Sequence, residues 1–179
     1  MINNYKGVED TKAYGRVVDL LRKFFQSKGF IEVHTQDRLS ILAACEDPTT
    51  VATFNYAGQI WPLPQTGQMW LEYELLTNPE APGVFCLSTS FRNEQNPVPG
   101  RHKIIFPMFE FESRGCIQDL QKLEAELMEY LGFGQKGNFV RQTYDELAQR
   151  YQTSELSWRE ENKMEKDLGP VVFLERFLQ

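Results

Sequence analysis

Apolar positions recur along this chain with two distinct periods, and the change of period marks the elements. Tyr14, Val17, Val18, Leu21 and Phe24 or Phe25 follow the helical spacing after a cap at Asp10 or Thr11, and Lys28 and Gly29 end the run. Residues 1–9 read as a short leader. From Phe30 the pattern alternates, with Phe30, Glu32 and His34 against Ile31, Val33 and Thr35, which predicts a half-buried strand. Residues 37–60 carry little pattern: Asp47, Pro48 and Thr49 suggest a loop, and Phe54, Tyr56 and Ile60 suggest short strands. A helix is predicted after Gly67, and 77–83 reads as a turn. Ile117, Leu120, Leu123, Leu127 and Leu131 mark an amphipathic helix with a packing stripe. Thr143 with Glu146, and Ser157 with Glu160, are capping boxes that open two further helices. Gly169 stops the second, and PVVFLERF reads as a buried strand.

The strongest pattern lies between Val84 and Glu112. Two β-rich runs, Val84–Phe91 and Ile104–Glu112, flank a polar connection with Asn93, Asn96, Pro97, Pro99 and Gly100. Hairpin loops are usually two to five residues, so a longer one carrying Arg101, His102 and Lys103 points to function. Alternation puts Phe85, Leu87, Thr89 and Phe91 on one face of the first strand, and Ser88, Ser90, Arg92 and Glu94 on the other. On the second strand, Pro107, Phe109 and Phe111 oppose Phe106, Met108, Glu110 and Glu112. The Phe-rich faces are expected to pack on a core. The opposite faces would gather a guanidinium, several carboxylates and one aromatic ring, a set suited to a phosphorylated aromatic ligand with a metal, which points to ATP.

Composition narrows the class without changing this picture. The chain has 179 residues, 41% hydrophobic and 13% aromatic, which predicts a globular single domain with a core of its own. A net charge of −6 disfavours broad contact with nucleic acid but allows a locally basic nucleotide site. Cys45, Cys86 and Cys116 have no metal-type spacing and read as reduced thiols of a cytoplasmic protein without a zinc site. No stretch approaches a signal core or a membrane span.

The string Phe91-Arg92-Asn93-Glu94, a loop, Arg101-His102 and then Phe106 resembles motif 2 of class II aminoacyl-tRNA synthetases, in the aspartyl/asparaginyl/lysyl subgroup. The resemblance implies an α+β fold, an antiparallel β-sheet flanked by helices, and an ATP-dependent ligase that forms an aminoacyl adenylate and pyrophosphate. It implies that Arg92 holds the α-phosphate and the amino-acid carboxylate, and is the catalytic residue. Glu94 would lie near the adenine and the amino-acid ammonium, Arg101 and His102 at the γ-phosphate end, and Phe106 on the adenine. Glu110 and Glu112 are the candidates for Mg²⁺. The family pattern has an acidic residue where this chain has Ile105.

Two further stretches extend the likeness. The first helix running into GFIEVHTQ resembles motif 1, which implies a homodimer, although Gln36 stands where the family has proline. Thr66-Gly67-Gln68-Met69-Trp70-Leu71-Glu72 resembles a run of asparaginyl-tRNA synthetases, which would place Thr66, Gln68 and Glu72 at the amino acid. Aspartate-specific relatives carry a lysine where this chain has Leu71, which favours a neutral amide substrate. The Gly-Pro and VVF run looks like the late part of the same core. No motif 3 string and no anticodon-binding domain is found in the sequence, so tRNA contact is possible but has no dedicated module. Two alternatives follow: a standalone paralogue that uses the adenylate for amide synthesis, and a non-catalytic fragment that binds nucleotide or a partner chain.

Overall fold

A computed structural model describes residues 8–36, 42–43 and 45–176. The chain divides into two compact units, Met1–Arg114 and Gly115–Gln179. In the first, Asp10 caps helix α1 (Thr11–Ser27) by accepting from the Lys12 and Ala13 amides, each at 2.9 Å. Gly29, with φ +81°, turns the chain out of the helix. The strand expected over Phe30–Thr35 is reduced to β1 (Ile31–Glu32), parallel to β4 (Gly83–Phe91). Beyond β1, one further amide bond, from Val33 to the Phe85 carbonyl at 2.9 Å, continues the contact. The part of the leader before Val8 lies outside the described residues.

β4 and β5 (Ile105–Ser113) pair antiparallel over their whole length, Gly83 opposite Ser113 and Phe91 opposite Ile105. The register brings Phe85 to Phe111, Leu87 to Phe109 and Thr89 to Pro107, so the two expected apolar faces coincide. They pack beneath α1, with Phe25 fully buried among the rings of Phe24, Phe30, Phe85, Phe109 and Phe111. Phe30 also packs against Gly83 at the start of β4. A Cβ at Gly83 would approach its ring to 2.3 Å, so only glycine fits there. On the other side of the hairpin, Val84 and Cys86 pack with Leu71 and Leu75 of helix α2 (Gln68–Thr77). The hairpin is thus covered by a helix on each face. Strands β2 (Thr53–Tyr56) and β3 (Gln59–Pro62) form a separate, largely exposed antiparallel ribbon within the region that had little sequence pattern.

The second unit holds helices α3 (Ile117–Tyr130), α4 (Tyr144–Tyr151) and α5 (Trp158–Leu168) and the parallel pair β6 (Val140–Thr143) and β7 (Val172–Glu175). Both expected capping boxes form. The PVVFLERF strand is shorter and only half-buried, and its Phe177 lies outside the described residues. Thr143 accepts from the Glu146 amide at 3.3 Å while Glu146 accepts from the Thr143 amide at 2.7 Å. Thr143→Ala removes the first of these bonds and is expected to cost about 1 kcal/mol. In a unit this small that is roughly 4–8 °C in the melting temperature, measurable by calorimetry. An unchanged transition would rule the cap out as a source of stability.

Candidate functional site

The expected ligand residues lie on two elements of the first unit, the motif 2-like hairpin and the start of α2. At the loop end of the hairpin, the Arg92 amide donates to the Ile104 carbonyl at 2.8 Å, extending the ladder past Phe91. This sets the Arg92 side chain on the same face as Ser90 and Phe106, which oppose each other in the ladder. Its guanidinium carbon lies 5.5 Å from the Phe106 ring centroid, a cation–π distance. Ser90, fully buried, is 3.4 Å from the Arg92 Nε. The guanidinium is therefore aimed across an aromatic face.

In the connection, Glu94 Oε2 lies 2.6 Å from His102 Nδ1, closing the loop across its base. The Arg101 and His102 amides both donate to the Val98 carbonyl, and Lys103 pairs with Glu9 at 2.7 Å. The Asn93 amide donates to the Thr50 carbonyl at 2.8 Å. The loop is a bonded turn, and both of its basic candidates, Arg101 and His102, are exposed.

The α2 group meets the hairpin at Glu110. The Glu110 carboxylate accepts from the Thr66 hydroxyl, from the Gly67 amide at 2.8 Å and from the Ser88 hydroxyl at 2.6 Å. Gln68 Nε2 donates to Glu72 at 2.9 Å, and the Cys45 thiol lies 3.1 Å from the Gln68 side-chain oxygen. Burial first, then the nearby Glu72 and Glu110, raises the Glu112 pKa above the usual carboxylate value. Burial, with Glu110 beside it, pushes the Cys86 thiol up to about 12, so it stays protonated and packs as an apolar group. A cleft of about 350 Å³ adjoins the Thr66–Gly67 turn between Thr35, Phe54, Trp70 and Leu87; its described lining includes neither Gln68, Glu72 nor Arg92.

Thr66, Gln68, Glu72, Glu110 and Glu112 thus form one cluster, Arg92 and Phe106 a second, and Glu94 with His102 a third. Leu71 is fully buried against Val84 and Cys86, a core position in this fold. The sequence placed Ser88 on the polar face and Cys45 among the thiols without giving either a partner, and passed over Gln65. Gln65 is buried, and its amide group bonds Asp47 N and O and Thr50 Oγ1, which anchors the segment before α2. Nothing in the spacing marked it, because its partners lie 15–18 residues away.

For Mg²⁺, the test is charge and capacity. Among the described residues no three His, Cys, Asp or Glu side chains are grouped to hold a metal unaided. Mg²⁺ at phosphoryl sites commonly takes one or two carboxylates together with phosphate oxygens. Glu112, crowded by Glu72 and Glu110, fits such a cation, whereas the Glu110 oxygens already accept three protein donors.

The Glu112 environment also carries a pH prediction. Its folded pKa lies above the unfolded 4.5, so the folded state holds more protons between those two values. Stability from this group is therefore present at acid pH and lost as pH rises through the folded pKa. Glu112→Gln is expected to raise the melting temperature at pH 7 and to flatten its dependence on pH just above 4.5. A lower melting temperature at pH 7 would show that the carboxylate is compensated.

Asparaginyl-tRNA synthetase from Pyrococcus horikoshii, complexed with asparaginyl-adenylate, superposes with a TM-score of 0.70 at 22% identity, over 87% of this chain and 42% of that one. The Entamoeba histolytica enzyme in complex with asparaginyl-adenylate gives 0.67 at 18% identity, over 91% and 42%. In sequence, lysine–tRNA ligase of Aliarcobacter butzleri is 32% identical over 117 residues, 65% of this chain and 22% of that protein. No family model matches the chain. The protein thus has the α+β fold of part of a class II synthetase core and is aminoacyl-tRNA synthetase-like, spanning less than half the length of these relatives. No helix among the described residues is long and apolar enough to cross a membrane.

Proposed function

We propose that this chain activates an amino acid with ATP, forming an aminoacyl adenylate and pyrophosphate. The Arg92 guanidinium over the Phe106 ring carries the reading. An adenine stacked on Phe106 would bring its α-phosphate within reach of Arg92, with Arg101 and His102 available to the γ-phosphate end. Glu94 orients His102 through their 2.6 Å contact and would lie on the adenine side.

An amino-acid carboxylate oxygen then attacks the α-phosphorus. The bond to the bridging oxygen breaks, and its electron pair leaves with pyrophosphate. The nucleophile is already ionised, so no general base is required. Positioning and neutralisation of charge on the phosphate oxygens supply the acceleration. Mg²⁺, with Glu112 as its protein ligand, would neutralise charge on the phosphates.

Thr66, Gln68 and Glu72 would take the amino acid. An amide and a carboxylate side by side suit an ammonium together with a neutral amide side chain, so asparagine is the expected substrate, within an asparagine or aspartate type. The acceptor of the adenylate would be tRNA, and the working form a homodimer in the cytoplasm.

The test is amino-acid-dependent ATP–pyrophosphate exchange across the twenty amino acids. Exchange with asparagine is expected. Exchange with another amino acid would keep the chemistry and move the substrate, and none at all from folded protein would overturn the reading.

A further inference from the structure

Helix α2 begins without a cap of its own. Gly67 stands at its N-cap position, offers no side chain, and is followed by no acidic residue in the first turn. Backbone amides at a helix start need acceptors, and a carboxylate there also meets the favourable end of the helix dipole. Glu110, a residue of β5, fills this role from another element. It accepts directly from the Gly67 amide at 2.8 Å and from the Thr66 hydroxyl, while Thr66 Oγ1 accepts from the Gln68 amide at 3.1 Å. Ser88 of β4 donates to the same carboxylate at 2.6 Å and holds it in place. The fit is close: a Cβ at Gly67 would lie 3.2 Å from Glu110 Oε2 and 3.1 Å from Cys86 Sγ.

We infer that Glu110 is a positioning residue that clamps the Thr66–Gly67–Gln68 turn to the β4–β5 hairpin. The inference rests on the activation reading above. Its consequence there is geometric. Gln68 and Glu72 lie on α2 and Arg92 lies on the hairpin extension, so their separation is set by whatever ties the two elements together. Leu71 and Leu75 supply an apolar contact between them, which tolerates sliding. Directional ties stand at both ends of α2: Arg114, just past β5, donates to the Leu75 carbonyl at 2.6 Å at the far end, and Glu110 holds the near end, where Gln68 lies. The Glu110 oxygens are engaged with three protein donors, which separates it from Glu112 as a metal ligand.

Glu110→Gln tests this, because it keeps size and one acceptor oxygen and loses the second. Two readouts are needed. Hydrogen exchange at the Gly67 and Gln68 amides reports the clamp whether or not the protein is active, and both amides are expected to exchange at least about tenfold faster in the variant. In the exchange assay the amino-acid KM is expected to rise by about tenfold, with the ATP KM and the Mg²⁺ requirement within about twofold of wild type. Ser88→Ala should move the amino-acid KM in the same direction by less.

Unchanged amide protection in Glu110→Gln would overturn the clamp. A shift in the ATP KM and Mg²⁺ dependence with the amino-acid KM constant would overturn it too and return Glu110 to the metal. An equal loss in every parameter with a lowered melting temperature would reduce Glu110 to a structural residue. A wild type that catalyses no exchange, with protection still lost in Glu110→Gln, would overturn the activation reading alone and leave the clamp standing.

Discussion

Phe25→Ala is expected to destabilise the first unit by about 3–5 kcal/mol. Phe25 has no exposed surface and contacts four rings outside its own helix. Its centroid lies 4.6 Å from Phe111, 5.3 Å from Phe30 and from Phe109, and 5.8 Å from Phe85. All are within the range where aromatic pairs add to simple burial. Removing the ring deletes the contact between α1 and both hairpin strands at once, and these partners are held by a nine-residue ladder that cannot collapse into the space. Against a total stability of about 5–15 kcal/mol, this is a third or more of what holds the unit folded. Urea denaturation followed by tryptophan fluorescence would measure it. A loss below about 1.5 kcal/mol would mean that α1 packs elsewhere in solution. Phe25→Leu is the control, with a smaller loss.

The same core explains what could be read from the sequence. Alternation over 84–91 and 104–112 assigned the faces of the hairpin, because a slip of one residue would turn the Phe side chains away from the core. The helix caps at Asp10, Thr143 and Ser157 were legible because capping is local. Alternation alone did not reveal that β1 would end after Glu32, since only Val84 and Phe85 of β4 are paired with it. The short strands suggested by Phe54, Tyr56 and Ile60 are present as β2 and β3, but their pairing into a ribbon had no signature, because Tyr56 and Ile60 are exposed and no buried face imposes a pattern. Leu71 shows the limit of carrying a relative's position over: its side chain here belongs to the core with Val84 and Cys86. The cross-chain bonds of Glu110, Gln65 and Cys45 had no local signature, because each joins residues 15 or more positions apart.

The Arg92–Phe106 pair carries the second large effect. Arg92→Ala is expected to lower amino-acid-dependent pyrophosphate exchange by roughly 10²–10³-fold, the scale for removing one fixed donor aimed at developing charge. The side chain is half-buried and, among the described residues, makes one weak contact, 3.4 Å to Ser90, besides its ring contact. Its removal therefore leaves the hairpin ladder intact, because the Arg92 amide, not the side chain, bonds to Ile104. Stability should consequently change little, and that separates a chemical from a structural loss. Arg92→Lys restores the charge but not the planar fork that engages two phosphate oxygens, so rescue is expected to be partial. Phe106→Leu should act differently, raising the ATP KM with a smaller effect on turnover, since a stacking platform binds the ground state and the transition state alike. If Arg92→Ala and wild type exchange at the same rate, the guanidinium does not face the reacting phosphate. If Arg92→Ala unfolds, its partner is structural. Loss of exchange from a variant that melts like wild type is the result that assigns Arg92 to the chemistry.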